Sequence, residues 1–188
     1  MLSFFKKIGS IYKKTSLILG IVIPIICYLL LPDASILEDP LSRFGIESKT
    51  QTIWIVFNQL MSIAILAIGA KANEKFKDFK IKRILDSILI FSGMTFALSG
   101  IITMDMHIPH LTLAALFFLS YCAYMFWYGY FKRHERITTS IISTILVIFP
   151  AVAIAITPFM GISYAMFEIV FIVSVVIWNY LIISDKLK

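Results

Sequence analysis

The sequence predicts an all-α, polytopic integral membrane protein, a bundle of six transmembrane helices with both termini in the cytoplasm. Three observations lead there. Of 188 residues, 60% are hydrophobic and only 15% charged, whereas soluble domains run near half apolar and a quarter charged. The apolar residues gather in six runs, about 16–31, 52–70, 84–104, 110–131, 137–156 and 164–183. About twenty apolar residues span a ~30 Å hydrocarbon core as a helix. Finally, fifteen of the seventeen Lys and Arg residues lie before run one, between runs two and three, between runs four and five, or after run six. Only Arg43 and Lys49 fall on the other side. This is the positive-inside bias of a cell-membrane protein. It also accounts for the net charge of +6, so no basic patch is left over for nucleic acid.

Each element follows in order. Residues 1–15 interleave Leu2, Phe4, Phe5, Ile8 and Ile11 with four lysines. That pattern suits a short amphipathic helix in the inner headgroup layer, or equally a basic flank orienting span one. Span one is expected to be retained: its apolar run is long for a signal peptide, and "LLLPDAS" offers no A-x-A-like cleavage site. Cys27 and Cys122 both fall inside spans, where a thiol acts as a small apolar residue. The loop "PDASILEDPLSRFGIESKTQ" carries Asp33, Glu38, Asp39 and Glu47, and is expected to fold back over the mouth of the bundle.

Span two offers Asn58, Ser62, Ile65 and Gly69 at helical spacing. The inner link "KANEKFKDFKIKR" is a solvated topology signal, or places Phe76 and Phe79 in lipid. Span three presents Gly93, Ala97 and Gly100, small enough for a neighbouring backbone to approach closely. Span four carries His110, Ala114, Phe117, Tyr121, Tyr124 and Tyr128 as one stripe. Its lower tyrosines, with Phe126, Trp127 and Tyr130, suggest an interfacial belt. Asp86 sits near the inner boundary and is expected to snorkel. Span five contains Pro150, as span one contains Pro24, and each is expected to kink its helix. Span six repeats the stripe with Glu168, Ile172, Val175 and Asn179, and residues 184–188 form a cytoplasmic tail.

Depth then selects a candidate site. Spans two, four and six run from outside to inside. At 1.5 Å per residue Asn58 lies about 9 Å and Glu168 about 6 Å below the outer boundary. His110 opens span four, with Asp105 and His107 in the turn above it. Polar residues in spans normally face the bundle, and an ionised Glu in hydrocarbon costs several kcal/mol unless paired, hydrated or protonated. Glu168 hydrogen-bonded to Asn58 or His110 would fasten helices. Three chemical readings stand beside that one. Asp105, His107 and His110 could ligate a metal, with Glu168 as fourth ligand or general base, but the spacing matches no zinc motif and no metal is expected. Arg43, Asn58, Asp105 and His107 could hold a lipid headgroup at the outward helix N-termini, with His110 and Glu168 as catalytic acid–base residues. Alternatively, the cluster could carry protons or a small polar solute. The sequence has no G-x-S-x-G, Walker A, G-x-G-x-x-G or C-x-x-C motif, so no cofactor is called for.

The series "DPLSRFG", "WIVFN", "HLTLAALFF" and "GISYAMFEIVFIVSVVIW" resembles the six-span family called domain of unknown function 998. That family is similar in turn to the Frag1/DRAM/Sfk1 membrane proteins. The resemblance marks Ser42, Gly45, Asn58, Gly100, Asp105, His110 and Glu168. This chain has Thr103-Met104 where the family has Phe-Pro, and Ile169 where it tends to have Arg. The family carries no agreed activity. Its Frag1-like relatives imply lipid handling, with membrane lipids as partners. The alternatives are a membrane-embedded hydrolase or transferase using His110 and Glu168, and an accessory subunit bound to other membrane subunits.

Overall fold

A computed structural model describes residues 19–35, 38–160 and 164–183. The basic segment 1–15, the start of span one and the tail 184–188 lie outside the described residues. Among those described there are six helices and no strand: α1 (Leu19–Leu30), α2 (Gln51–Asn73), α3 (Phe79–Ile101), α4 (His107–Lys132), α5 (Ile137–Met160) and α6 (Tyr164–Ile183). A short 3-10 helix, Leu41–Gly45, sits in the loop between α1 and α2. Five helices, α2 to α6, are long and apolar enough to cross a membrane. The described part of α1 is a shorter apolar helix.

Several boundaries differ from the sequence reading. Helix α3 begins at Phe79, because the Asp78 carboxylate accepts the N–H groups of Lys80 and Ile81 and caps it there. The link before it is therefore short, and its two phenylalanines part company. Phe76 is buried against Tyr128 and Phe131, while Phe79 is exposed. Helix α4 begins three residues earlier than expected and runs straight through Pro109. Pro109 is tolerated because the first-turn donors of a helix have no intrahelical acceptor.

Consecutive helices from α2 to α6 pack side by side, and α6 returns to touch α2 and the 3-10 helix. The α2–α3 contact is a zipper of small residues. A Cβ on Gly100 would sit 2.5 Å from Asn58 Cβ, and one on Gly93 would sit 2.8 Å from Leu66. Between them, Ser62 Oγ donates to Gly93 O at 2.6 Å and Gln59 Nε2 to Ala97 O at 2.8 Å. The Gly93–Ala97–Gly100 stripe thus lets two backbones approach closely enough for polar side chains to reach across.

The main core lies between α2, α3, α4 and α6. Phe117, Tyr121, Tyr124 and Tyr128 of the α4 stripe are all buried in it. The three tyrosines therefore do not belong to an interfacial belt, and the hydroxyls of Tyr121 and Tyr124 have acceptors inside the bundle. Tyr121 donates to Asn179 Oδ1 and Tyr124 to Asn73 Oδ1, each at 2.9 Å. Asn73 in turn donates to Asp86 at 2.8 Å, so that acid is tied to α2. Phe126, Trp127 and Tyr130 stay outside. On α6 the most buried stripe is Phe167, Phe171, Ser174 and Trp178. Trp178 Nε1 reaches Ser143 Oγ on α5 at 2.9 Å.

Candidate functional site

The loop end of the bundle is built around Arg43. Its guanidinium meets Asp39 at 2.7 Å, Asp33 at 3.0 Å and Glu47 at 3.1 Å. Three carboxylates around one planar donor fork fold the loop onto itself. Asp39 is held below the usual carboxylate range, first by the Ser35 N–H at 2.8 Å and then by Arg43. The sequence offered Arg43 to an anionic headgroup; its donors are directed at the loop's own acids instead.

Beneath that cluster the 3-10 helix presses Leu41 and Phe44 into the bundle. Phe44 stands edge-on to Tyr28 and Trp54. Pro40 precedes this turn and gives it no side-chain cap. The cap comes from far along the chain: Glu168 Oε2 on α6 accepts the Leu41 N–H at 2.6 Å, and the same carboxyl accepts the N–H of Ser42. Here a sequence expectation is corrected. The sequence leaves open a Glu168 bonded to Asn58 or His110, but among the described residues no hydrogen bond joins it to either. The turn's two otherwise orphaned donors take its carboxyl, because a 3-10 N-terminus lacking its own cap needs an acceptor.

His110 is buried, while Asp105 and His107 are exposed. Its Nδ1 lies 2.7 Å from Ile102 O, just beyond the end of α3. A carbonyl only accepts, so Nδ1 carries the proton, and in the neutral ring Nε2 keeps the lone pair. Asp105 accepts from Thr103 Oγ1, and this bond holds its carboxyl below the usual range. Asn58 Nδ2 donates to Trp54 O at 2.8 Å within its own helix.

Asn58, His110 and Glu168 nevertheless line one pocket of about 60 Å³. Ser42 and Ser99 add hydroxyls, and Phe96, Phe117 and Phe118 form an aromatic wall. Arg43, Asp105 and His107 are not part of its lining. Ser99 and Phe96 escaped the sequence reading, although Ser92, Phe96 and Ser99 recur at four- and three-residue spacing along α3. Tyr28 also escaped it. Its hydroxyl is a buried polar atom without a hydrogen-bond partner among the described residues. Among the described residues no three His, Cys, Asp or Glu side chains are grouped to hold a metal.

Long apolar helices packed around a largely apolar core, with a mixed pocket at one end, define an integral membrane protein. The chain belongs to the family described as "Protein of unknown function (DUF998)", which matches residues 16–184. No curated protein and no solved structure matches it.

Proposed function

We propose that this is a six-span protein of the cell membrane with both termini cytoplasmic, and that it recognises a lipid through the polar group of its headgroup at the outer, loop-covered end. The observation that carries the reading is the mixed character of the pocket. Asn58, His110, Glu168, Ser42 and Ser99 meet there against Phe96, Phe117 and Phe118. Binding sites for amphiphiles combine apolar walls with a few placed polar groups. At about 60 Å³ the space suits one small group, such as a hydroxyl or an amine, rather than a whole headgroup. The acyl chains would stay with the apolar helix faces outside. Six spans follow from counting the shorter apolar helix α1 together with the five long ones, and the orientation follows from the charge asymmetry.

Native mass spectrometry of the purified protein tests this. One headgroup class should remain bound at one lipid per chain and compete against an excess of the others. Ser99→Leu, which fills the pocket from α3, should abolish that preference without unfolding the bundle. Equal retention of every headgroup class would refute the reading.

The fixed tautomer of His110 favours a second reading. A histidine with Nδ1 bonded to a carbonyl presents a basic Nε2, the arrangement of a general base. Under that reading the protein is a membrane-embedded hydrolase or transferase. The purified protein would then turn over the retained lipid, and His110→Ala would abolish that turnover.

A further inference from the structure

Donors and acceptors are unevenly divided in the lining of the loop-end pocket. Its hydroxyls spend their hydrogens on the protein: Ser99 Oγ donates to Phe96 O at 2.8 Å and Ser42 Oγ to Met104 Sδ at 3.2 Å. His110 spends its Nδ1–H on Ile102 O, and Asn58 spends one Nδ2 hydrogen on Trp54 O. The backbone N–H groups of Leu41 and Ser42 go to Glu168. Trp54 sets its indole N–H edge against Gly45, which is not part of the lining. Of these groups only Asn58 keeps a donor, its second Nδ2 hydrogen.

What remains for a ligand is acceptors. Among the described residues nothing donates to His110 Nε2 or Asn58 Oδ1. Both residues are buried, yet neither atom is sealed in. The serine oxygens keep their lone pairs, and a carboxylate has about four acceptor sites, so Glu168 can accept beyond its two N–H partners. Among the described residues the lining holds one acid, Glu168, and no Lys or Arg. No described Lys or Arg meets that carboxyl. The phenylalanine wall completes the pattern, because aromatic faces attract cations.

We propose that the group this pocket takes is a primary ammonium, such as ends an ethanolamine headgroup. Its three N–H donors match the carboxylate, the imidazole nitrogen and the amide oxygen, and its charge answers that of Glu168. The rival groups each lack something. A hydroxyl brings one donor and no charge, a phosphodiester brings only acceptors and negative charge, and a trimethylammonium brings the charge without an N–H. The space of about 60 Å³ suits a group of this size. The amine belongs either to a lipid headgroup or to a small soluble molecule. This specificity rests on the pocket being the recognition site proposed for the lipid.

The test keeps the charge of the headgroup nitrogen and removes its N–H donors one at a time. The full chain is equilibrated with phosphatidylethanolamine, its monomethyl and dimethyl derivatives and phosphatidylcholine, all with the same acyl chains. Native mass spectrometry reads retention at one lipid per chain. Retention should fall along the series, with phosphatidylethanolamine held roughly tenfold or more over phosphatidylcholine, the range of charge-assisted hydrogen bonds. Glu168→Gln, which keeps an acceptor for the loop, should cut that preference about tenfold. Glu135→Gln, the same change beyond the other end of α4, should leave it unaltered. In a second arm ethanolamine is titrated onto the chain in phosphatidylcholine nanodiscs, with thermal unfolding as readout. The lipid preference without a response to ethanolamine identifies a lipid headgroup. Saturable stabilisation by ethanolamine, with every lipid retained equally, keeps the ammonium and refutes the lipid reading. Phosphatidylcholine retained as well as phosphatidylethanolamine, with no response to ethanolamine, would overturn the proposal. So would a preference for phosphatidylglycerol, under which lipid recognition itself would stand. A Glu168→Gln variant with the full preference of the parent would overturn it too, and the methylation series decides the matter even if that variant fails to fold.

Discussion

Replacing Glu168 by leucine should release the loop before α2, and the size of the effect follows from two hydrogen bonds. The carboxyl accepts the N–H of Leu41 at 2.6 Å and that of Ser42. These donors open a turn whose Leu41 and Phe44 are buried, so leucine would strand both in apolar surroundings. An unsatisfied buried donor costs about 1–3 kcal/mol. Part of that is recovered as the turn lifts and water reaches it, which leaves a net cost of about 2 kcal/mol. Glutamine keeps a carbonyl oxygen able to accept both bonds and should cost under ~1 kcal/mol. Amide hydrogen exchange reads this directly. In Glu168→Leu the amides of residues 41–45 should exchange about 30-fold faster, the ratio that 2 kcal/mol implies. Glu168→Gln should stay within a few-fold of the parent, and the α3–α4 core should be unchanged in both. A leucine variant whose 41–45 amides exchange at the parent rate would show that Glu168 does not anchor the loop.

Gly100→Ala should cost about 1–3 kcal/mol, as overpacking does, because the new Cβ meets Asn58 Cβ at 2.5 Å; Gly20→Ala, with its nearest neighbours at 3.5 Å, should be neutral in the same unfolding assay. The loop should also respond to acid. The Asp39 carboxyl is lowered on folding, so its contribution is present above the unfolded value of about 3.9 and is lost as pH falls through the lower folded value. Loop protection should therefore be constant from about pH 7 to 5 and fall only below about pH 4; loosening already between pH 7 and 5 would contradict this. A reporter that is active only in the cytoplasm, fused after Lys188, should be active, and one inserted after Ser48 should be silent.

Helix existence and inward faces were legible in the sequence because both follow from periodicity. The α4 stripe from His110 to Tyr128 is buried as its four- and three-residue spacing implies, with Ala114 half-buried. The small residues of α3 mark a close approach for a related reason, since only a missing side chain lets two backbones come so near. Helix ends were less legible, because caps decide them. Asp78 moved the start of α3 five residues earlier than hydropathy alone placed it. At the site, depth brought Asn58, His110 and Glu168 to one level, and they do share a pocket. Depth gives no information on partners, however. Glu168 bonds a loop turn more than 120 residues away in sequence, and the need for that bond arises from Pro40, which leaves the turn uncapped. Arg43 shows the same gap. Its carboxylate neighbours at positions 39 and 47 are one helical turn away on either side, a local pattern that could have marked it as a loop fastener.

Lipid recognition at the loop end is tested most directly by cross-linking from the lipid itself. Lipids with a photoreactive diazirine in the headgroup, presented one class at a time, can be mapped on the protein by peptide mass spectrometry. The account predicts that one headgroup class labels pocket residues, Ser42, Ser99, His110 and Ala114 among them, and that the same class without the diazirine competes this labelling away. Other classes should label only exposed positions at the same end, such as Ile108. Labelling confined to exposed positions for every class, with none in the pocket, would contradict it.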